Sequence, residues 1–220
     1  MSEHMDSVRK TTDKRRIRGE ESRKAIIEGA IDCIASRGLR GTTLETVAER
    51  AKVSRALVAF HFKTKNRLLI GVLNYLGRQF SAGWDAILAA ECGSASERLM
   101  RLLEFDVRFV SDYPHYVSVW HAFWGEAKGS TLYREVSSPR DQRYMKDVRT
   151  LFQALADEDD NDDIDLAALI TGVEAMLFGF WLDGHLNPGT DRSAVSIRAL
   201  RGYLSALFPK HFAVNDGDKS

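Results

Sequence analysis

Two cysteines, Cys33 and Cys92, and four prolines are all that 220 residues contain of either type. Thiols so far apart, in helix-like stretches, suggest neither a disulfide framework nor a thiolate metal site and read as small buried fillers. The six histidines (His4, His61, His115, His121, His185 and His211) form no HExxH or HxH spacing. A phosphate-cradling glycine loop and a nucleophile elbow are also missing. These gaps remove the common signatures of a small helical hydrolase or lyase, so no enzyme activity, metal or other cofactor is expected. His121 and His185 lie near aromatic segments and are more simply explained as structural imidazoles than as pocket groups. The longest apolar run, Leu166 to Leu182, carries Thr171 and Glu174 and falls short of the roughly 20 residues a membrane span needs. It reads as a buried helix. The polar, basic N-terminus has no apolar signal-peptide core, and no membrane partner is expected; the expected compartment is the cytoplasm. The acidic run from Asp157 to Asp165 lacks the glycine and terminal glutamate of a calcium loop and reads as a solvated connection.

Net charge is also absent, but only as a sum. Residues 1–70 hold 16 Lys and Arg against 9 Asp and Glu, an excess of seven positive charges, and the remaining 150 residues carry the matching negative excess. A basic end on an acidic body suggests that one end meets a polyanion.

What is present is helical spacing. Ile27, Ala30, Ile31, Ile34 and Ala35 follow the apolar stripe of an amphipathic helix from about Glu20 to Arg37, with Gly38 at its end. Thr42 and Glu45 have capping-box spacing ahead of a short second helix. Ser54 is a plausible N-cap for a third, running to about His61. A long fourth helix runs from Lys65 or Asn66 to about Ala90. Others are expected near Ser96 to Tyr113, His115 to Lys128, Leu132 to Ala156, Ile164 to Leu186 and Asp191 to Phe208. The expected fold is all-α with about nine helices. A basic flexible tail (1–18) precedes a three-helix helix-turn-helix domain (19–65), a helical effector-binding and dimerisation domain (66–210) and a second tail (211–220).

At 100° per residue, the third helix places Leu57, Val58, His61 and Phe62 on one side and Arg55, Ala56, Ala59 and Phe60 on the other. A recognition helix needs that division, with one face packed and one free for the major groove. Arg55 suits a guanine edge, Ala56 and Ala59 allow close approach to thymine methyls, and Phe60 suits sugar or methyl groups. Thr43, Ser54 and Lys65 suit phosphates. An ordinary helical subdomain with a solvated Arg55 and a half-buried Phe60 would show the same periodicity.

The stretch from Gly38 to Leu69, GLRGTTLETVAERAKVSRALVAFHFKTKNRLL, separates the two readings: it resembles the DNA-binding signature of the TetR family of transcriptional repressors. Matching positions include the Val47-Ala48 pair, Val53-Ser54, the closing aromatic and Phe, and Lys65 with Leu68. Lys52 and Ala56 stand where the family commonly has glycine, so a left-handed backbone at Lys52 is a point to check. The resemblance implies a homodimer on a near-palindromic double-stranded DNA operator, with half-site centres about one helical turn apart. The last two long helices would then form the dimer contact. There Ala168, Gly172, Ala175 and Gly179 form a small-residue stripe that close packing within one subunit would explain equally well.

Val119 to Val136, with Arg140 and Arg143, and Leu169 to Gly184 resemble the C-terminal domain of BetI-type, choline-responsive repressors of betaine synthesis. This resemblance implies a small-molecule effector, a quaternary ammonium cation. Such an ion cannot donate hydrogen bonds and is held by aromatic faces with a carboxylate nearby. The candidates are Trp120, Phe123, Trp124, Tyr133 and Trp181, with Phe180 in support and Glu174 preferred over Glu126 as the anion. Glu174 is preferred because it interrupts an apolar helix, where an unpaired charge is costly. An ordinary aromatic core remains the alternative, as does a different metabolite or multidrug effector. Asp183 also departs from the BetI pattern, standing where Arg is usual.

Overall fold

The structure is a computed structural model describing residues 2–90, 93–126, 131–159 and 164–212, with side chains from residue 16 onward. Among the described residues there are nine helices and no strand. They are α1 (Ser2–Gly41), α2 (Leu44–Arg50), α3 (Arg55–Phe62), α4 (Lys65–Ala89), α5 (Ala95–Asp112), α6 (Pro114–Glu126), α7 (Leu132–Glu158), α8 (Leu166–Leu186) and α9 (Ser193–Leu207). Cys92, the end of the sixth predicted helix and part of the acidic connection lie outside the described residues.

Helix boundaries follow local chemistry. Gly38 interrupts α1 with φ 68°, a conformation that costs an L-residue strain and glycine little. The helical backbone begins at Ser2, where a flexible tail is expected up to residue 18. Hydrophobic periodicity marks only the part of a helix that is buried. The extension has no proline and no apolar stripe, and the Arg16–Glu20 pair at 3.0 Å supports its last turn. The second tail is also shorter than expected, since Phe212 is 3% exposed and packs with Phe208. The capping box of α2 is Thr43 with Thr46, not Thr42 with Glu45. Thr42 is fully buried, its hydroxyl donating to the Gly38 carbonyl at 2.9 Å.

The head packs Ile26, Ile27, Ala30, Ile31 and Ile34 of α1 against Val47, Ala48, Val58 and Phe62. Phe62 closes on α4 at Gly71, where a Cβ would lie 2.7 Å from the ring. Helix α4 runs on into the body, burying Leu76, Phe80 and Trp84. Helix α6 packs against α1, so the head is braced at two points.

Helix α8, expected from Ile164 to Leu186 as a buried helix, spans Leu166–Leu186 and is only partly buried. Its 21 residues are long and apolar enough to cross a membrane by length and composition. Leu169, Ile170, Val173, Leu177 and Trp181 are buried against the body. Phe178, Leu182 and Leu186, and Val195 of α9, are instead exposed. Gly172 faces the Tyr203 hydroxyl of the same chain, whereas Gly179 faces open space. Packing within the subunit therefore accounts for only part of the small-residue stripe.

Candidate nucleic-acid interface and effector cavity

Helices α2 and α3 meet at a turn closed by backbone bonds from Lys52 to Glu49 at 3.2 Å and from Val53 to Ala48 at 3.0 Å. Lys52 is left-handed with φ 54°, and Lys63, past the end of α3, has φ 53°. The Thr43 and Ser54 hydroxyls cap the two helices, accepting from Thr46 N–H at 3.2 Å and Leu57 N–H at 3.1 Å. On α3, Val58 and Phe62 are buried, and Leu57 and His61 are half-buried. Arg55, Ala56, Ala59 and Phe60 are all exposed, Phe60 to 77%. An apolar ring left in water on a basic face is available to a partner.

Besides the two capping hydroxyls, two more of the predicted head residues are already engaged. The Lys65 ammonium donates to the Leu39 carbonyl at 2.6 Å, tying the start of α4 to the end of α1. Arg55 pairs with Glu45 at 2.5 Å. Helical periodicity gave no sign of this pair, because ten residues and a turn separate its members.

In the body, α4, α5, α6, α7 and α8 line an open cavity of about 560 Å³. Trp120, Trp124, Tyr133, Glu174 and Trp181 line it. Phe123 does not. One position off the Trp120–Trp124 stripe, it turns toward the head and lines a smaller hollow of about 190 Å³ with Leu39 and Lys65. Phe180 is half-buried against the core and also stays out of the cavity wall.

Sequence reasoning missed Phe80, Trp84, Asp106 and Tyr144 in this wall. Asp106 matters most because it is a carboxylate in the interior, 5% exposed. It accepts from the Trp181 indole at 2.6 Å and the Tyr144 hydroxyl at 2.9 Å. Burial raises its pKa to about 6 against the opposing pull of those two bonds. Burial, then the Asp106 charge, holds the Tyr144 phenol well above its usual value. Asp106 had a readable signal: it stands on the apolar face of α5 among Leu99, Leu102, Leu103 and Val107. Glu174 is exposed at the cavity wall, which removes the burial argument made for it. Glu126 is exposed beside the smaller hollow, 3.7 Å from Arg40.

Arg140 lies over the Trp120 ring at 5.6 Å and pairs with Asp141 at 2.8 Å. Arg143 pairs with Asp85 and lies 3.8 Å from Asp147. His121 and His185 stack on each other at 4.5 Å outside the cavity lining. The first bonds the Trp181 carbonyl and the second the Ser118 hydroxyl. Burial lowers the pKa of His121. Among the described residues no group of three or more His, Cys, Asp or Glu side chains is placed to hold a metal.

A helix-turn-helix head, one long helix and a helical body around an aromatic cavity together define a class, the DNA-binding transcription regulators. Residues 26–72 match the model of bacterial regulatory proteins of the TetR family, and residues 95–209 match that of the BetI-type transcriptional repressor C-terminal domain. The chain belongs to the TetR family, in the group with a BetI-type C-terminal domain, and is a transcriptional repressor, not an enzyme. It is 28% identical to the regulator BetI of Paraburkholderia phymatum, over 88% of this chain and 96% of that one. It is 26% identical to BetI of Rhizobium meliloti, over 84% and 88%. A transcriptional regulator from Pseudomonas aeruginosa has the same fold, with TM-score 0.73, 24% identity and coverage of 88% and 94%. So does a regulator from Saccharomonospora viridis solved in complex with choline, with TM-score 0.71, 22% identity and coverage of 84% and 96%.

Proposed function

We propose that the chain works as a homodimer on a near-palindromic operator and that a compact organic cation of the choline type, bound in the 560 Å³ cavity, changes its operator affinity. The observation that carries the effector reading is Asp106, a buried carboxylate among the aromatic faces of Trp84, Trp120 and Trp181. A quaternary ammonium ion is attracted by ring faces and by a desolvated negative charge, and asks for no acceptor. The choline complex of the Saccharomonospora viridis regulator and the BetI relatives support the same reading. Asp183, the departure from the BetI pattern, lies off the cavity, bonded to Asn187 and Arg192, so it does not argue against the site. In the head, Arg55, Ala56, Ala59 and Phe60 read base edges, while Thr43 and Ser54 meet phosphates. Lys65 reaches a phosphate only by giving up the Leu39 carbonyl.

A second reading rests on size. A cavity of about 560 Å³ also suits a drug-sized ligand, for which pockets of roughly 300–1,000 Å³ are usual. A larger metabolite with a cationic end would fill it more completely.

Operator binding is measured by anisotropy on duplexes from the DNA flanking the gene, followed by titration with choline, betaine aldehyde and glycine betaine. The expected result is tight, steeply salt-dependent binding that one of the three alters. Calorimetric heat should disappear in Trp124→Ala and Trp181→Ala. No heat from any of the three, or binding that leaves operator affinity unchanged, rules out the choline-type reading.

A further inference from the structure

We infer that Glu45 is a positioning residue for operator recognition: from the first turn of α2 it holds the Arg55 guanidinium by its inner nitrogen, so that the terminal pair of nitrogens meets a guanine edge. The inference rests on the proposed base-reading role of Arg55. Arg55 Nε lies 2.5 Å from Glu45 Oε1, with both side chains more than half exposed. A forked contact to the guanine O6 and N7 acceptors needs two guanidinium nitrogens, and a contact through Nε leaves the outer two for it.

As a stability device the pair is a poor choice, because exposed ion pairs contribute little. A carboxylate on the face that meets phosphates also weakens binding to every DNA sequence. Glu45 is an exposed acid whose charged form is favoured where it stands. Its pKa is lowered first by its own backbone N–H, then by the Thr43 hydroxyl, with Arg55 adding to the effect. The carboxylate stands at the N-terminus of α2, and the arginine is paired with it. Side-chain order at the first residue of α3 is thereby set by α2 before DNA arrives. That spares the entropy of ordering a long, rotamer-rich side chain on binding.

The test is selection of duplexes from a randomised library by the full-length chain and by Glu45→Ala, Glu45→Gln and Arg55→Ala, with sequencing to give the preference at each operator position. Glu45→Ala should bind non-selected DNA more tightly while losing about ten-fold of its preference at the Arg55 base pair of each half-site, a magnitude within that of one bidentate contact. Glu45→Gln keeps an acceptor without the charge. It should show the same non-specific gain and retain most of the preference, a separation that a purely electrostatic role would not produce. Parental preference in Glu45→Ala overturns the inference alone. Parental preference in Arg55→Ala, or no preference by the parent at any position, overturns the base-reading role with it.

Discussion

Asp106 and Glu174 show how differently two carboxylates are treated by the same apolar surroundings. Glu174 breaks a hydrophobic run in the chain, yet its side chain is exposed at the cavity wall. Asp106 sits inside, with its proton affinity raised. A carboxyl whose pKa stands at about 6 when folded and 3.8 in the open chain binds its proton more tightly in the fold. It therefore favours folding below pH 3.8, and that contribution is lost as the pH rises toward 6. Above pH 6 the fold carries a buried carboxylate at a cost of up to about 3 kcal/mol, from a shift of roughly two pH units. Asp106→Asn should accordingly raise the thermal midpoint at pH 7.5, with the gain shrinking toward pH 4, and should lower calorimetric affinity for choline at least ten-fold. Choline affinity of the parent should fall as the pH drops below about 6, where Asp106 takes up its proton. A variant that binds choline like the parent at pH 7.5 would remove Asp106 from the site.

At the scale of elements, the turn between α2 and α3 is the clearest case of local strain. Left-handed backbone costs a non-glycine residue roughly 1–2 kcal/mol, and Lys52 adopts it with φ 54°. Glycine there would relieve the strain but loosen the unfolded chain by about 0.4–1 kcal/mol. Lys52→Gly should therefore stabilise the protein by about 0.5 kcal/mol in urea unfolding. It should also reduce the salt slope of operator binding, because an exposed cation is gone. The packing of α3 on α4 makes a complementary prediction. At Gly71 an added Cβ would meet Phe62 at 2.7 Å. Gly71→Ala should cost about 1–3 kcal/mol as overpacking and weaken operator binding by displacing the recognition helix. Equal stability to the parent would show that Phe62 yields freely. Elements with an apolar stripe or a side-chain cap were legible in the chain, and Ser54 and Gly38 mark real boundaries. The extension of α1 back to Ser2 was not, because its residues carry no apolar stripe in the sequence.

For the whole molecule, Leu182 and Leu186 of α8 and Val195 of α9 leave apolar surface exposed on a single subunit. The proposed dimer would cover it, bringing two heads to successive grooves. Because the side chains are exposed in the subunit, Leu182→Glu with Val195→Glu should leave the far-ultraviolet circular dichroism of the parent unchanged. The same variant should sediment as a monomer and lose at least a hundred-fold in operator affinity, since one head then binds without the other. A folded dimer with both substitutions would place the contact elsewhere. The acidic body and basic head carry the same logic, with the charge that attracts DNA confined to the end that meets it.

What the sequence determined by itself was local. It defined helix caps and breaks, the division of α3 into a buried and an exposed face, and a signature dense enough to mark the TetR head. Each depends on residues within a turn or two of one another, where spacing and geometry are nearly the same thing. The tertiary structure decided the rest. It put Asp106 against Trp181, 75 residues away, and turned Phe123 out of the cavity toward the head. It also tied Lys65 to Leu39 and joined Glu45 to Arg55. Those contacts come from how the helices cross, and crossing angles and rotations are set by packing over the whole core, which no single helix's periodicity records.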